Sequence, residues 1–146
     1  MMSTQETEEQ VITPTIKPSI KIDPKIKNAL LTQFEEQGMV IVHCSFSAIV
    51  DIGIRIWSST FLVDRISGDK AKLLHALNIS FAPEWTIAKA GTTMRFTLIF
   101  SSLPATCEVF DLIEDAPNLF GFEIYNIKRN PTDVYSVEIS KEKRKA

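Results

Sequence analysis

Four side chains carry most of the chemistry this sequence could perform: His43, Cys44, His75 and Cys107. By number they match the ligand set of a zinc site. By spacing they do not. His43 and Cys44 are neighbours in a run that alternates like a strand, so their side chains leave opposite faces and cannot grip one tetrahedral ion. The same geometry parts them as a catalytic dyad, and only a Cys107–His75 pair across strands is left. The simpler reading makes both thiols small buried apolar groups and both histidines structural. The motifs that cradle a phosphate or hold a serine nucleophile are absent, and so is HExxH. The five glycines, at 38, 53, 68, 91 and 121, stand singly beside turns or strands. No catalytic, metal-binding or cofactor-binding residue is therefore expected.

Acidic residues gather at Asp111, Glu114, Asp115 and Glu123. Paired carboxylates serve glycoside hydrolysis or calcium binding. No calcium-loop spacing accompanies these four, so they read as a solvated acidic edge that keeps a sheet from pairing with other chains. Lys128-Arg129-Asn130-Pro131 reads as an ordinary hairpin loop with two cations rather than an anion site. The aromatic residues say more. Trp57 follows Arg55 by two residues on one face of an alternating segment, which allows a cation–π pair. Core packing is the commoner role of tryptophan, but an exposed one stacks on a sugar ring or anchors a protein interface. Arg55, Trp57, Phe61 and Trp85 form the candidate interaction surface.

The scaffold for these residues is legible as a series of period-two segments separated by turn residues. The first covers 26–34, although Ala29, Leu30 and Leu31 also suit a short helix. A turn follows at 35–38, with Gly38 supplying the positive φ. The strongest strand is 39–47, with Val40, Val42, Cys44 and Phe46 on one face. Ile52, Ile54 and Ile56 share the next face, with Gly53, Arg55 and Trp57 opposite. Segments 61–66 and 71–79 make a hairpin about Ser67-Gly68-Asp69-Lys70. The second arm has helical leucine spacing too, but the hairpin context favours a strand with Leu73, His75, Leu77 and Ile79 together. Segment 92–100 places Met94, Phe96, Leu98 and Phe100 on one face. Segments 107–113, 120–127 and 134–139 complete the set, the last two joined through 128–133. No long amphipathic helix is evident. About eight or nine short strands predict an all-β, antiparallel sandwich. Several strands are apolar on both faces, as at Phe61 and Leu62, whereas a sandwich needs one buried face per sheet. The excess points to a covered second face, a ligand cavity or a partner surface.

The 146 residues suit one domain, and 45% hydrophobic content is ordinary for a globular chain. Residues 1–24 read as a flexible leader, acidic at the start and interrupted by Pro14, Pro18 and Pro24. The domain proper spans 25–139. Residues 140–146 form a basic tail around Lys141, Lys143, Arg144 and Lys145. The N-terminus has neither the basic nor the apolar region of a secretory signal, and no stretch is long enough to span a membrane. A cytoplasmic location with reduced thiols is expected. Net charge is −2, and the body is mildly acidic. It lacks the concentrated basic face that neutralises phosphates, so no nucleic-acid partner is expected.

Three segments carry a family likeness: Ile54-Arg55-Ile56-Trp57-Ser58-Ser59-Thr60-Phe61-Leu62, Phe96-Thr97-Leu98-Ile99-Phe100-Ser101-Ser102-Leu103-Pro104, and 122–135. A strand ending in Leu-Pro is followed by Phe110-Asp111-Leu112. Over 25–139 this resembles small bacterial immunoglobulin-like domains of unknown function. The resemblance implies an immunoglobulin-like β-sandwich and carries no catalytic residues.

The leading expectation is a non-enzymatic protein-interaction or assembly module whose partner is another protein. A sandwich that binds a small apolar ligand or a carbohydrate is the alternative, and an enzyme is the least favoured. The pattern makes a firmer statement about stability. Phe96→Ala and Phe100→Ala should each cost about 3–5 kcal/mol in urea unfolding if their face is core. A loss below about 0.5 kcal/mol would place that face at the surface.

Overall fold

Helix α1 (Pro24–Glu36) opens the described part of this computed structural model, which covers residues 23–116 and 121–139. The expected leader, apart from Asp23 and Pro24, and the basic tail lie outside those residues. Segment 26–34, which the sequence leaves open between strand and short helix, is helix. Asp23 caps it, its carboxylate accepting the Lys25 N–H at 2.9 Å. Pro24 sits in the first turn, where a missing N–H leaves no bond unmade. Lys27, Leu30, Leu31 and Phe34 recur at helical spacing and are its half-buried residues. The helix ends where the Met39 N–H bonds the Phe34 carbonyl at 3.1 Å, with Gly38 at φ +79°.

Nine strands follow among the described residues: β1 (Val40–Ser47), β2 (Ile52–Ile54), β3 (Phe61–Asp64), β4 (Lys70–Leu77), β5 (Thr86–Ala88), β6 (Thr93–Phe100), β7 (Val109–Ile113), β8 (Glu123–Lys128) and β9 (Val134–Ile139). The all-β reading holds, and segment 71–79 is largely strand. Local chemistry makes the β3–β4 turn: Asp64 accepts the Ile66 N–H at 2.9 Å and the Ser67 hydroxyl at 2.9 Å. Gly68 takes φ +82°. Seven strands form one sheet in the order β8-β7-β3-β4-β6-β1-β9, and β2 with β5 forms a small second sheet. The large sheet is mixed, because β9 runs parallel to β1.

That order has a geometric consequence. β8 and β9 are consecutive in the chain yet end opposite sides of the sheet, so 128–133 is not the hairpin loop expected. Six inter-strand steps of about 4.8 Å would part them by about 29 Å in a flat sheet. The chain from Lys128 to Val134 reaches about 22 Å at full extension. The sheet must roll. Tyr135 of β9 meets Phe110 of β7 edge to face, ring centroids 5.0 Å apart. The architecture is thus a barrel-like sheet with a two-stranded flap, where the pattern suggests two antiparallel layers. Val42, Phe46, Leu62, Leu98, Phe100 and Phe110 fill its interior.

Two bulges adjust which residues face inward. On β4, Leu73 pairs with Phe100 and His75 with Ile99, so Leu74 is the extra residue. Leu73 points to the core, while His75 and Leu77 are carried to the outer face, against the shared face expected. On β7–β8 the register shifts between Phe110 and Leu112. There Asn126 has φ +64°, and its N–H bonds buried Asp111 at 2.9 Å.

The rolled edges are tied by Arg129, Asp133 and Tyr135. The Tyr135 hydroxyl accepts the Asn130 N–H at 3.0 Å and donates to Asp133 at 2.8 Å. Burial pushes the Tyr135 phenol up to about 12. The folded chain keeps this proton above pH 10, where the unfolded chain releases it, so its stability is lost as pH rises from about 10 to about 12. Tyr135→Phe should cost about 1–3 kcal/mol near neutral pH by orphaning the Asn130 N–H. It should also remove part of the alkaline loss, and urea unfolding across that pH range reads both effects.

Candidate functional site

The small sheet rests on three residue pairs: Ile52 with Ala88, Gly53 with Ile87, and Ile54 with Thr86. Ile54, Thr86 and Ala88 are buried. Gly53, Arg55, Trp85 and Ile87 occupy the opposite, half-buried side. Ile56 then bridges Phe81 in parallel, and the chain reaches Trp57. On this outer face the Arg55 guanidinium lies 3.9 Å from the Trp85 ring centroid and 5.1 Å from that of Trp57. Its Nη1 donates to the Pro83 carbonyl at 3.0 Å. The structure therefore joins three of the four expected surface residues. The Arg55–Trp57 contact expected from spacing is present, and Trp85, distant in sequence, is the nearer partner. Phe61 lies apart from this stack, half-buried on β3 with Lys70 Nζ 4.4 Å from its ring centroid.

Two neighbours fix the stack in place. Gly53 approaches Trp85 so closely that a Cβ there would stand 2.9 Å from Cε3. Glu114 is 3% exposed, and its carboxylate accepts the Trp57 N–H at 3.2 Å and the Phe122 N–H at 3.3 Å. Burial draws the Arg55 guanidinium below its usual value, and the charge of Glu114 opposes this. Phe81, beside Ile56, is 37% exposed. The tight loop that leads into β2 displays Ile49 at 84% and Val50 at 61% exposure. That loop is pinned by Ala48 N–H to the Thr92 carbonyl at 3.0 Å and Ala90 N–H to Asp51 at 2.8 Å.

The acidic group is not one solvated edge. Asp111 is buried, gripped by Arg65 Nη1 at 3.0 and 3.1 Å and by the Asn126 N–H. Glu114 is buried as described, whereas Asp115 and Glu123 are exposed. Both buried acids satisfy backbone donors that strand pairing leaves over, a role their composition does not announce. Arg129 in the cationic run is likewise internal: it forks onto Asp133 at 2.6 and 3.0 Å and donates to the carbonyls of Pro104 and Cys107.

The four residues considered for metal or nucleophilic chemistry are dispersed. Both cysteines are free and buried. Burial raises the thiols of Cys44 and Cys107, the latter with help from Asp64. Cys107 belongs to the interior cluster, while His75 lies on the outer face stacked on Phe34 at 5.0 Å. His43 points to that outer face too, away from Cys44. Among the described residues no group of three or more His, Cys, Asp or Glu is placed to hold a metal ion. No described helix is long and apolar enough to cross a membrane.

No family model, curated protein or solved structure matches this chain. The surface must therefore be read from its own geometry. Gly53→Ala tests that geometry directly, since its methyl would displace Trp85 from beneath Arg55. Overpacking of this kind should cost about 1–3 kcal/mol. Tryptophan emission, compared between variant and parent under native conditions, should change with it.

Proposed function

We propose that this chain is a protein-interaction module, with no enzymatic activity of its own, that engages another protein through the outer face of the β2–β5 sheet. The observation that carries this reading is the setting of Arg55, a guanidinium held against Trp85 and Trp57 by short strands. Side chains fixed before association lose little rotamer freedom on binding. Tryptophan and arginine are also the residues most often decisive at interface centres. The guanidinium has five N–H donors in a planar fork, and the Pro83 carbonyl engages Nη1. A guanidinium fork suits a carboxylate or a backbone carbonyl of the partner, and Phe81, on the segment bridged to Ile56, offers exposed apolar area nearby.

A carbohydrate would use the same tryptophans for stacking. Arg55 over the Trp85 ring and Gly53 against it leave less ring face for a sugar than a free indole offers. This favours a protein partner.

Affinity capture of the tagged chain from its own cells, with stoichiometry by mass spectrometry, tests the proposal alongside Phe81→Ser and Arg55→Glu. A near-equimolar partner should be captured by the parent and lost by both variants, each assayed well below its own thermal midpoint. Capture that survives both substitutions would remove this face from the reading. An empty capture, with a thermal shift on adding oligosaccharides, would replace the protein partner by a sugar.

A further inference from the structure

Both histidines of the chain sit on one surface, the outer face of β1, β6 and β4 beneath α1. His43 Nδ1 lies 2.8 Å from Thr97 Oγ1 on β6. His75, turned outward by the bulge at Leu74, stacks on Phe34 of α1 with an interplanar angle of 19°. Beside them Ile41 and Ile99 are 0% exposed, although they face away from the main interior. The element over them is α1, which has no fully buried residue of its own. It rests on the sheet through Lys27, Leu30, Leu31 and Phe34, and only Gln37, Gly38 and Met39 join it to β1.

We propose that α1 is an acid-released cover: protonation of His43 loosens the helix from the sheet and exposes Ile41 and Ile99. Charge and burial at this contact set the direction. A cationic imidazole here would be half-buried and would face Lys27 of α1. Glu35, also on α1, offsets part of that repulsion. By register, Arg95 of β6, Glu138 of β9 and His75 of β4 stand on the same outer face. Burial and then Lys27 hold His43 below its ordinary value. The released state binds the proton more tightly, so the closed state is fully favoured above about pH 6.5 and loses ground as pH falls below it. The Thr97 contact survives protonation, because Nδ1–H can donate to the hydroxyl. Desolvation and Lys27 therefore drive the release. This device is independent of the Arg55 surface.

Hydrogen exchange read by mass spectrometry on the full chain, at about pH 7.5 and about pH 5.5 with intrinsic rates corrected, tests it. Protection of the α1 amides should fall on acidification, by no more than about tenfold per pH unit for one proton. Protection of β3 and β7 should hold, which separates release from unfolding. His43→Gln keeps an amide beside Thr97 and should abolish the acid response. Lys27→Gln should shrink the acid response by narrowing the gap between closed and released states, and His75→Gln should leave the response in place. Equal α1 protection at both pH values in the parent overturns the proposal. So does an undiminished response in His43→Gln, or its loss in His75→Gln.

Discussion

Closure of the large sheet between β8 and β9 is the constraint on which the rest of this structure depends. Five residues, 129–133, must bridge the first and last strands of the sheet order. They do so as a cross-linked knot. Arg129 forks onto Asp133 and caps two carbonyls of the 104–107 turn, while Asn130 bonds the Val134 carbonyl at 2.9 Å. A half-buried ion pair is a poor source of stability when its hydrogen bonds are incomplete. Here the guanidinium meets four acceptor atoms and the carboxylate also receives the Tyr135 hydroxyl. The pair's value is therefore positional: it sets where β9 lies against Phe110, and so the curvature of the whole sheet.

Curvature in turn explains the two-sided apolar strands. Rolling encloses one face of β1 and β6 around Val42, Phe46, Leu98 and Phe100. The other face is covered by α1, which is why Phe96, Thr97, Leu98, Ile99 and Phe100 are all buried in succession. A single bulge at Leu74 couples the two layers. It keeps Leu73 in the interior and delivers His75 to the helix. Without it, the alternation of β4 would place an imidazole in the core and leave Phe34 without its stacking partner.

What the sequence discloses follows from how local each cause is. Most strand positions, the turn about Ser67-Gly68-Asp69-Lys70 and the core face of Phe96, Leu98 and Phe100 depend on residues within a few positions of one another, whereas β5 (Thr86–Ala88), three residues between turn-formers, goes unread. The Arg55–Trp57 contact belongs to the same class. Helix α1 stays ambiguous in sequence because alternation and helical spacing coexist in a short apolar run, while the deciding cap, Asp23-Pro24, falls in a stretch assigned to the leader. Strand order is set by contacts between distant segments, and nothing in alternation encodes that β9 pairs with β1. The partnership of Trp85 with Arg55 is hidden for the same reason. Asp111 and Glu114 read as solvated because acids usually are. Their burial makes sense only once the unpaired N–H groups of Asn126, Trp57 and Phe122 are located.

The two short strands raise a further question of cause, since a two-stranded ribbon of three pairs is not stable alone. Its inner side is held by burial of Ile54 and Ala88, and its outer side by the Trp57–Arg55–Trp85 stack. A stack that served only to hold the ribbon would gain from complete burial, because half-exposed indole surface still faces water. Instead Trp57 and Trp85 stay half open, and the Trp57 backbone is tied through Glu114 to Phe122 ahead of β8. The arrangement is stiff where it touches the sheet and apolar where it meets solvent. The stack thus does for the outer side of the ribbon what burial of Ile54 and Ala88 does for the inner side.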